Sequence, residues 1–87
     1  MERDDKLESL LSDLKQYRDE LRVQMHLAKA ELRDEFEELE ARWEKLQPRL
    51  ENATRDAAQA GKEALDSLAE AGEAILNGFK RIRDDLK

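Results

Sequence analysis

From Leu7 onward, apolar residues recur at alternating steps of four and three: Leu7, Leu11, Leu14, Leu21, Met25, Ala28 and Leu32, with Arg18 the one charged residue on the line. This is a heptad seam, the pattern of a helix that buries a narrow stripe against other helices. One additional step of four leads from Leu32 to Phe36, a stutter that locally unwinds a left-handed supercoil. The alternation then resumes at Leu39, Trp43, Leu46, Leu50, Ala53, Ala57, Ala60 and Ala64.

Beyond Ala57 the period changes. Ala57, Leu68 and Phe79 stand eleven apart, as do Ala60, Ala71 and Ile82, and Ala64, Ile75 and Leu86. Eleven residues in three turns keep a helix nearly straight, with a slight right-handed drift. Gly61 and Gly72 occupy one phase of this repeat, beside a seam of small residues that includes Ala53, Ala64 and Ala71. A glycine costs a helix about 1 kcal/mol relative to alanine. Two at equivalent positions predict close approach of another helix, which small side chains permit. A deformable helix that adapts to a lipid surface is the alternative.

Two interruptions stand out. Pro48 cannot donate a backbone hydrogen bond and clashes with the preceding turn, so it predicts a kink or the start of a new helix. The seam keeps its phase across it, and no Gly, Asn or Asp lies between Asp34 and Glu51, which slightly favours one kinked helix over a hairpin. Asn77–Gly78 predicts bending or a brief break. Asp5 with Glu8 resembles a capping box, and Glu2–Lys6, Glu38–Arg42 and Glu51–Arg55 have the favourable order for pairs one turn apart. A straight helix of 80 residues would reach about 120 Å and could not bury its stripe alone. The chain is therefore expected to need a partner, most simply a second copy, or else a different partner helix.

The totals exclude several classes. Eighty-seven residues allow one small domain, and 44% of them are charged, with a net of −6. A nucleic-acid binder would show a basic stripe, so DNA and RNA are not expected partners. Residues 1–47 carry 9 basic and 14 acidic side chains, and residues 48–87 carry 7 and 8, yet the final "NGFKRIRDDLK" is locally basic. No cysteine is present, no apolar leader opens the chain, and no apolar run is long enough to cross a bilayer as a helix. The expectation is a soluble cytoplasmic protein that is at most peripheral to a membrane.

Site chemistry is sparse. With a single His and no Cys there is no zinc set, and Val23 occupies the position where a Glu-x-x-His motif ending at His26 would need Glu. The three glycines fit no phosphate loop, and Ser9, Ser12 and Ser67 have no identifiable base. The acidic run "DEFEELE" (Asp34–Glu40) spreads its carboxylates around a helix rather than gathering them in a loop, which reads as a solvated face. No catalytic residue, metal site or cofactor is predicted. Phe36 and Trp43 read as core anchors, Tyr17 as flanking the seam. Phe79, Ile82 and Leu86 beside Lys80, Arg81 and Arg83 could meet an anionic membrane surface, although Glu63, Asp66, Glu70 and Glu73 oppose it.

The run "LKQYRDELRVQMHLAKAELRDEFEELEARWEKL", followed by "AGKEALDSLAEAGEAI", resembles small bacterial coiled-coil proteins of the stress-response type, in which a charged helical seam leads into a Gly- and Ala-containing amphipathic stretch. That family carries an aromatic residue in the Gly-rich stretch, where this chain has Leu65 and Leu68. It has no defined active-site residues, so the resemblance implies none here. Residues 57–86 are similar to the eleven-residue helices of apolipoprotein-like proteins.

The combined expectation is an all-α fold of long amphipathic helices forming a coiled coil, kinked or turned near Pro48, with a helical hairpin as the close alternative. A heptad part (1–47) precedes an Ala/Gly-rich part of eleven-residue periodicity (48–87). A self-association seam is expected at Leu7, Leu11, Leu14, Leu21, Met25, Leu32, Phe36, Leu39, Trp43, Leu46 and Leu50. Close helix packing is expected at Ala53, Ala57, Ala60, Gly61, Ala64, Leu68, Ala71, Gly72 and Ile75. The expected role is a non-enzymatic structural or adaptor protein, with lipid-surface binding through 57–86 as the alternative.

Overall fold

Most of the seam is helical in the computed structural model, which describes residues 5–56 and 61–86, the side chain of Asp5 excepted. Helix α1 spans Asp5–Gln24, a short 3-10 turn follows at Met25–Leu27, α2 spans Ala30–Arg55 and α3 spans Lys62–Asp85. The class is all-α, with all three helices packed against one another. The Glu2–Lys6 pair, the Asp5 cap, Ala57 and Ala60 lie outside the described residues.

Contacts along the helices fix their directions. On α1 and α2, Lys15 meets Glu51 while Arg18 meets Glu40, so these two run antiparallel. On α1 and α3, Leu10 meets Gly72 while Tyr17 meets Arg83, so these run parallel. Phe36 stacks obliquely on Phe79 with ring centroids 5.8 Å apart, and Leu46 lies near Ile75, so α3 is antiparallel to α2. The body measures 44 × 17 × 16 Å, close to the ~39 Å expected for the 26 residues of α2. The 120 Å rod does not form.

The seam is spent inside one chain. Leu7, Leu14, Leu21, Met25, Phe36, Trp43, Leu46, Leu50 and Ala53 are all buried, together with Leu68, Ile75, Phe79 and Ile82 of α3. Burying such side chains contributes roughly 1.5–3 kcal/mol each. Three helices can enclose one stripe from each, which a single rod or a two-helix hairpin cannot. The premise that a second copy is needed to cover the seam therefore falls away. Leu10 and Leu76 join the core from positions beside the seam, while Leu11, Leu32 and Leu39 are half-buried.

The turns are not where the breakers stand. Pro48 lies inside α2, on its exposed side, so the lost hydrogen bond leaves a carbonyl facing water rather than the core. The boundary drawn at residue 48 is thus a change of sequence pattern within one helix. Asn77–Gly78 likewise lies within α3, held helical by Leu76, Phe79 and Ile82 in the core. The first reversal uses the Met25–Leu27 turn and two extended residues, Ala28 and Lys29, with ψ of 156° and 154°. It keeps Met25 buried and leaves Val23 and Leu27 72% and 96% exposed. The second reversal lies between Arg55 and Lys62. At its far end Gly61 adopts φ of +77°, a left-handed conformation suited to glycine.

Candidate functional site

The residues expected to pack closely divide into two groups. Ala53, Leu68, Gly72 and Ile75 are buried, and Gly72 lies against Leu10 and Leu14. Gly61 is a correction: it precedes α3, and among the described residues nothing would lie within 4 Å of an added Cβ. Ala64 and Ala71 are exposed, because α3 turns its core face through Leu68, Ile75 and Phe79 instead. The pairing of Gly61 with Gly72 in the eleven-residue repeat thus joins a turn residue to a packing residue. The other packing glycine is Gly78, against Leu39.

The six residues expected at a lipid surface do not form one. Phe79 and Ile82 are almost completely buried, and Arg83 and Leu86 are half-buried. Lys80 borders α1 beside Lys6 and Asp13, whereas Arg81 borders α2 beside Glu38 and Arg42. Arg83 spreads over the Tyr17 ring, 5.0 Å from its centroid, and donates to the Tyr17 hydroxyl at 2.6 Å. A heptad or hendecad stripe marks what is apolar on a helix, and here that stripe is the core.

Among the described residues, no three His, Asp or Glu side chains gather as metal ligands, and no helix is long and apolar enough to cross a membrane. His26 is exposed in the 3-10 turn. Charged groups engage each other across the helices: Arg18 Nε donates to Glu40 at 3.1 Å and Lys15 meets Glu51 at 3.2 Å. Glu51 also accepts from the Gln47 amide, and these contacts hold its carboxyl below the ordinary range, the Gln47 bond first and Lys15 next. It was expected to pair with Arg55, whose guanidinium instead donates to the Glu51 backbone carbonyl and to Asn52 at the end of α2. Glu38–Arg42 does pair, at 3.3 Å.

Between α2 and α3 the helices leave a groove open. One half is bordered by Glu35, Glu38, Leu39 and Arg42 of α2 with Ala74, Gly78 and Arg81 of α3. The other half is bordered by Arg42, Lys45, Leu46 and Arg49 with Ala71, Ala74 and Ile75. Arg42 and Ala74 belong to both, so the two halves are continuous. The half at Leu46 and Ile75 has an apolar floor, the α3 wall is Ala71, Ala74 and Gly78 with Arg81 at one end, and the α2 wall is charged and exposed. Along that wall Glu31, Glu35 and Glu38 precede Arg42, Lys45 and Arg49, at steps of four, three, four, three and four. The charges of Asp34–Glu40 do spread around the helix, but two of them, Glu35 and Glu38, share a face with Glu31 and with three bases, which the apolar spacing alone did not reveal. The alternation of four and three was the available signal, applied there only to apolar residues.

The chain matches no family model, no curated protein sequence and no solved structure.

Proposed function

We propose that this chain is a non-enzymatic structural or adaptor protein that works by helix-to-helix association, in the first place with itself. The observation that carries this reading is the α2/α3 groove, with an apolar floor at Leu46 and Ile75, small residues Ala71, Ala74 and Gly78 along α3, and an exposed charged rim that includes Arg81. A face with two alanines and a glycine along α3 lets another helical face approach at short range, while the charged rim sets which face and in which orientation. Association is thus assigned to the outer face of the helices, since the seam first expected to mediate it fills the chain's own core. A stress-related setting belongs to this proposal on the sequence resemblance alone. The test is sedimentation velocity across micromolar concentrations at physiological salt. Reversible formation of a defined oligomer is the expected result, and a monomer at all concentrations would sink the self-association reading.

A second reading, peripheral binding to a lipid surface, draws on a different observation from the one first expected. Val23 and Leu27 are exposed where α1 stops, and Leu27 borders the half-buried Leu86 and Arg83. Arg22, His26 and Lys29 are nearby in the chain, as are the opposing acids Glu20 and Glu31. Flotation with anionic vesicles tests it: Leu27→Asp should abolish co-flotation, and protein that never floats would remove this reading.

A further inference from the structure

We propose that a second copy of this chain occupies the α2/α3 groove face in antiparallel orientation, α2 against α2, about a two-fold axis passing at the level of Glu40. The proposal rests on the reading of that face as a docking surface and names its partner.

The order of charges selects both partner and direction. On the exposed wall of α2, Glu38 and Arg42 lie equally far on either side of residue 40, as do Glu35 and Lys45, and Glu31 and Arg49. Reversing such a face and laying it on itself sets every acid opposite a base: Glu38 against Arg42, Glu35 against Lys45, Glu31 against Arg49. A parallel copy in the same register would set acid on acid and base on base. This self-complementarity is what an isologous two-fold contact requires. Glu40 itself is turned away, toward Arg18 of α1, so it places no unpaired charge at the axis.

The α3 wall fits the same axis. Helix α3 flanks α2 on one side, and a two-fold axis perpendicular to the helices brings the two α3 copies together on that side. The point of α3 level with the axis is marked by Gly78, against Leu39, with Ala74 about one turn away. Small side chains, Ala74 and Gly78, therefore stand near the axis where the two α3 copies approach, with exposed Arg81 one turn beyond Gly78 and beside the acidic Glu35 and Glu38 of α2. One long face of a 44 × 17 × 16 Å body offers about 700 Å², close to the ~800 Å² per partner of a standard interface. The intrachain Glu38–Arg42 pair is an exposed contact that a partner can replace without opening the core.

The test reverses charge on each half separately and follows mass by sedimentation, with circular dichroism to verify helix content. Glu31→Lys, Glu35→Lys and Glu38→Lys together leave the wall all basic; Arg42→Glu, Lys45→Glu and Arg49→Glu together leave it all acidic. Each triple variant alone should be monomeric where the wild type dimerises, and an equimolar mixture should restore a one-to-one dimer that weakens at least tenfold as salt is raised. Should either triple variant fail to fold, oxidative cross-linking of Glu38→Cys with Arg42→Cys chains decides instead, since the wild type has no cysteine. Mixed 38–42 cross-links forming faster than those of a Pro48→Cys control support the antiparallel face. A wild-type monomer overturns this inference together with the self-association reading. A wild-type dimer whose triple variants still dimerise alone, or whose Pro48→Cys chains cross-link fastest, overturns this inference only.

Discussion

Gly72 of α3 lies so close to Leu10 of α1 that a Cβ on it would stand 2.7 Å from one Leu10 methyl and 3.3 Å from its branching carbon. Leu10 is buried and has little room to yield. Replacing a glycine by alanine within a helix gains about 1 kcal/mol of propensity, and overpacking costs about 1–3 kcal/mol. Gly72→Ala is expected to lose about 1 kcal/mol net in urea unfolding. At Gly78 the clash is with both methyls of Leu39, at 2.7 and 2.9 Å, but Leu39 is half-buried and can swing toward solvent. Gly78→Ala should therefore stay within about 0.5 kcal/mol of wild type at protein concentrations where the chain is monomeric. If Gly72→Ala proves as stable as wild type, the contact between α1 and α3 relaxes freely and the glycine is not a packing requirement.

These two glycines also show how far the sequence could be read. Spacing pointed to the all-α class and to the apolar stripe from Leu7 through Trp43 to Leu50, while Phe79 and Ile82, read as a candidate lipid contact, are buried in the core instead. It allowed a fold-back only near Pro48, as the hairpin alternative, and did not reveal the reversal after Gln24. The first reversal, at Met25–Lys29, contains no glycine or proline, and the seam runs through it in phase from Leu21 to Leu32. The local preference is helical throughout, and the cost of breaking the helix is offset by enclosing three stripes in one core. Pro48 and Asn77–Gly78 illustrate the converse: both are breakers by local rule, and both are held in helices by the core residues around them. The groove was legible in principle, but only by following the periodicity of charged residues as closely as that of apolar ones.

The one charged member of the seam, Arg18, should be worth keeping only with its partner. It is partly buried between α1 and α2 and donates to Glu40 and Asp19, each at 3.1 Å. Arg18→Ala should destabilise by about 1–2 kcal/mol, since Glu40 loses its partner in a partly desolvated site. In a double-mutant cycle with Glu40→Ala, a coupling of about 1 kcal/mol is expected. Coupling near zero would mean that Arg18 acts through its aliphatic stem.

Glu51 gives the fold a pH dependence of definite sign. The Gln47 amide and the Lys15 ammonium favour its charged form, so its folded pKa lies below the ordinary 4.5. A carboxyl lowered on folding contributes stability that is present above the ordinary value and is lost as pH falls through the folded value. The gap in Tm between wild type and Glu51→Gln should thus favour wild type near neutrality and close in acid. A gap that is constant from about pH 7 to about pH 3 would assign the effect to the Gln47 hydrogen bond in either protonation state.

Tyr17 and Arg83 tie the end of α3 to α1, and their contributions should be unequal. The Tyr17 hydroxyl accepts from Arg83 Nη1, while Arg83 Nε is buried without a hydrogen-bond partner. Tyr17→Phe keeps the ring beneath the guanidinium and removes one hydrogen bond, at an expected cost of about 0.5–1 kcal/mol. Arg83→Met keeps most of the apolar stem and removes the unpaired Nε. The desolvation relieved there, about 1–3 kcal/mol, opposes the loss of both the cation–π contact and the same hydrogen bond to Tyr17, each worth about 0.5–1 kcal/mol. Arg83→Met should therefore fall within about 0.5 kcal/mol of wild type in thermal unfolding, and less destabilised than Tyr17→Phe. A loss above about 1.5 kcal/mol would reverse that ranking and make the stacked guanidinium the main tie between the two helices.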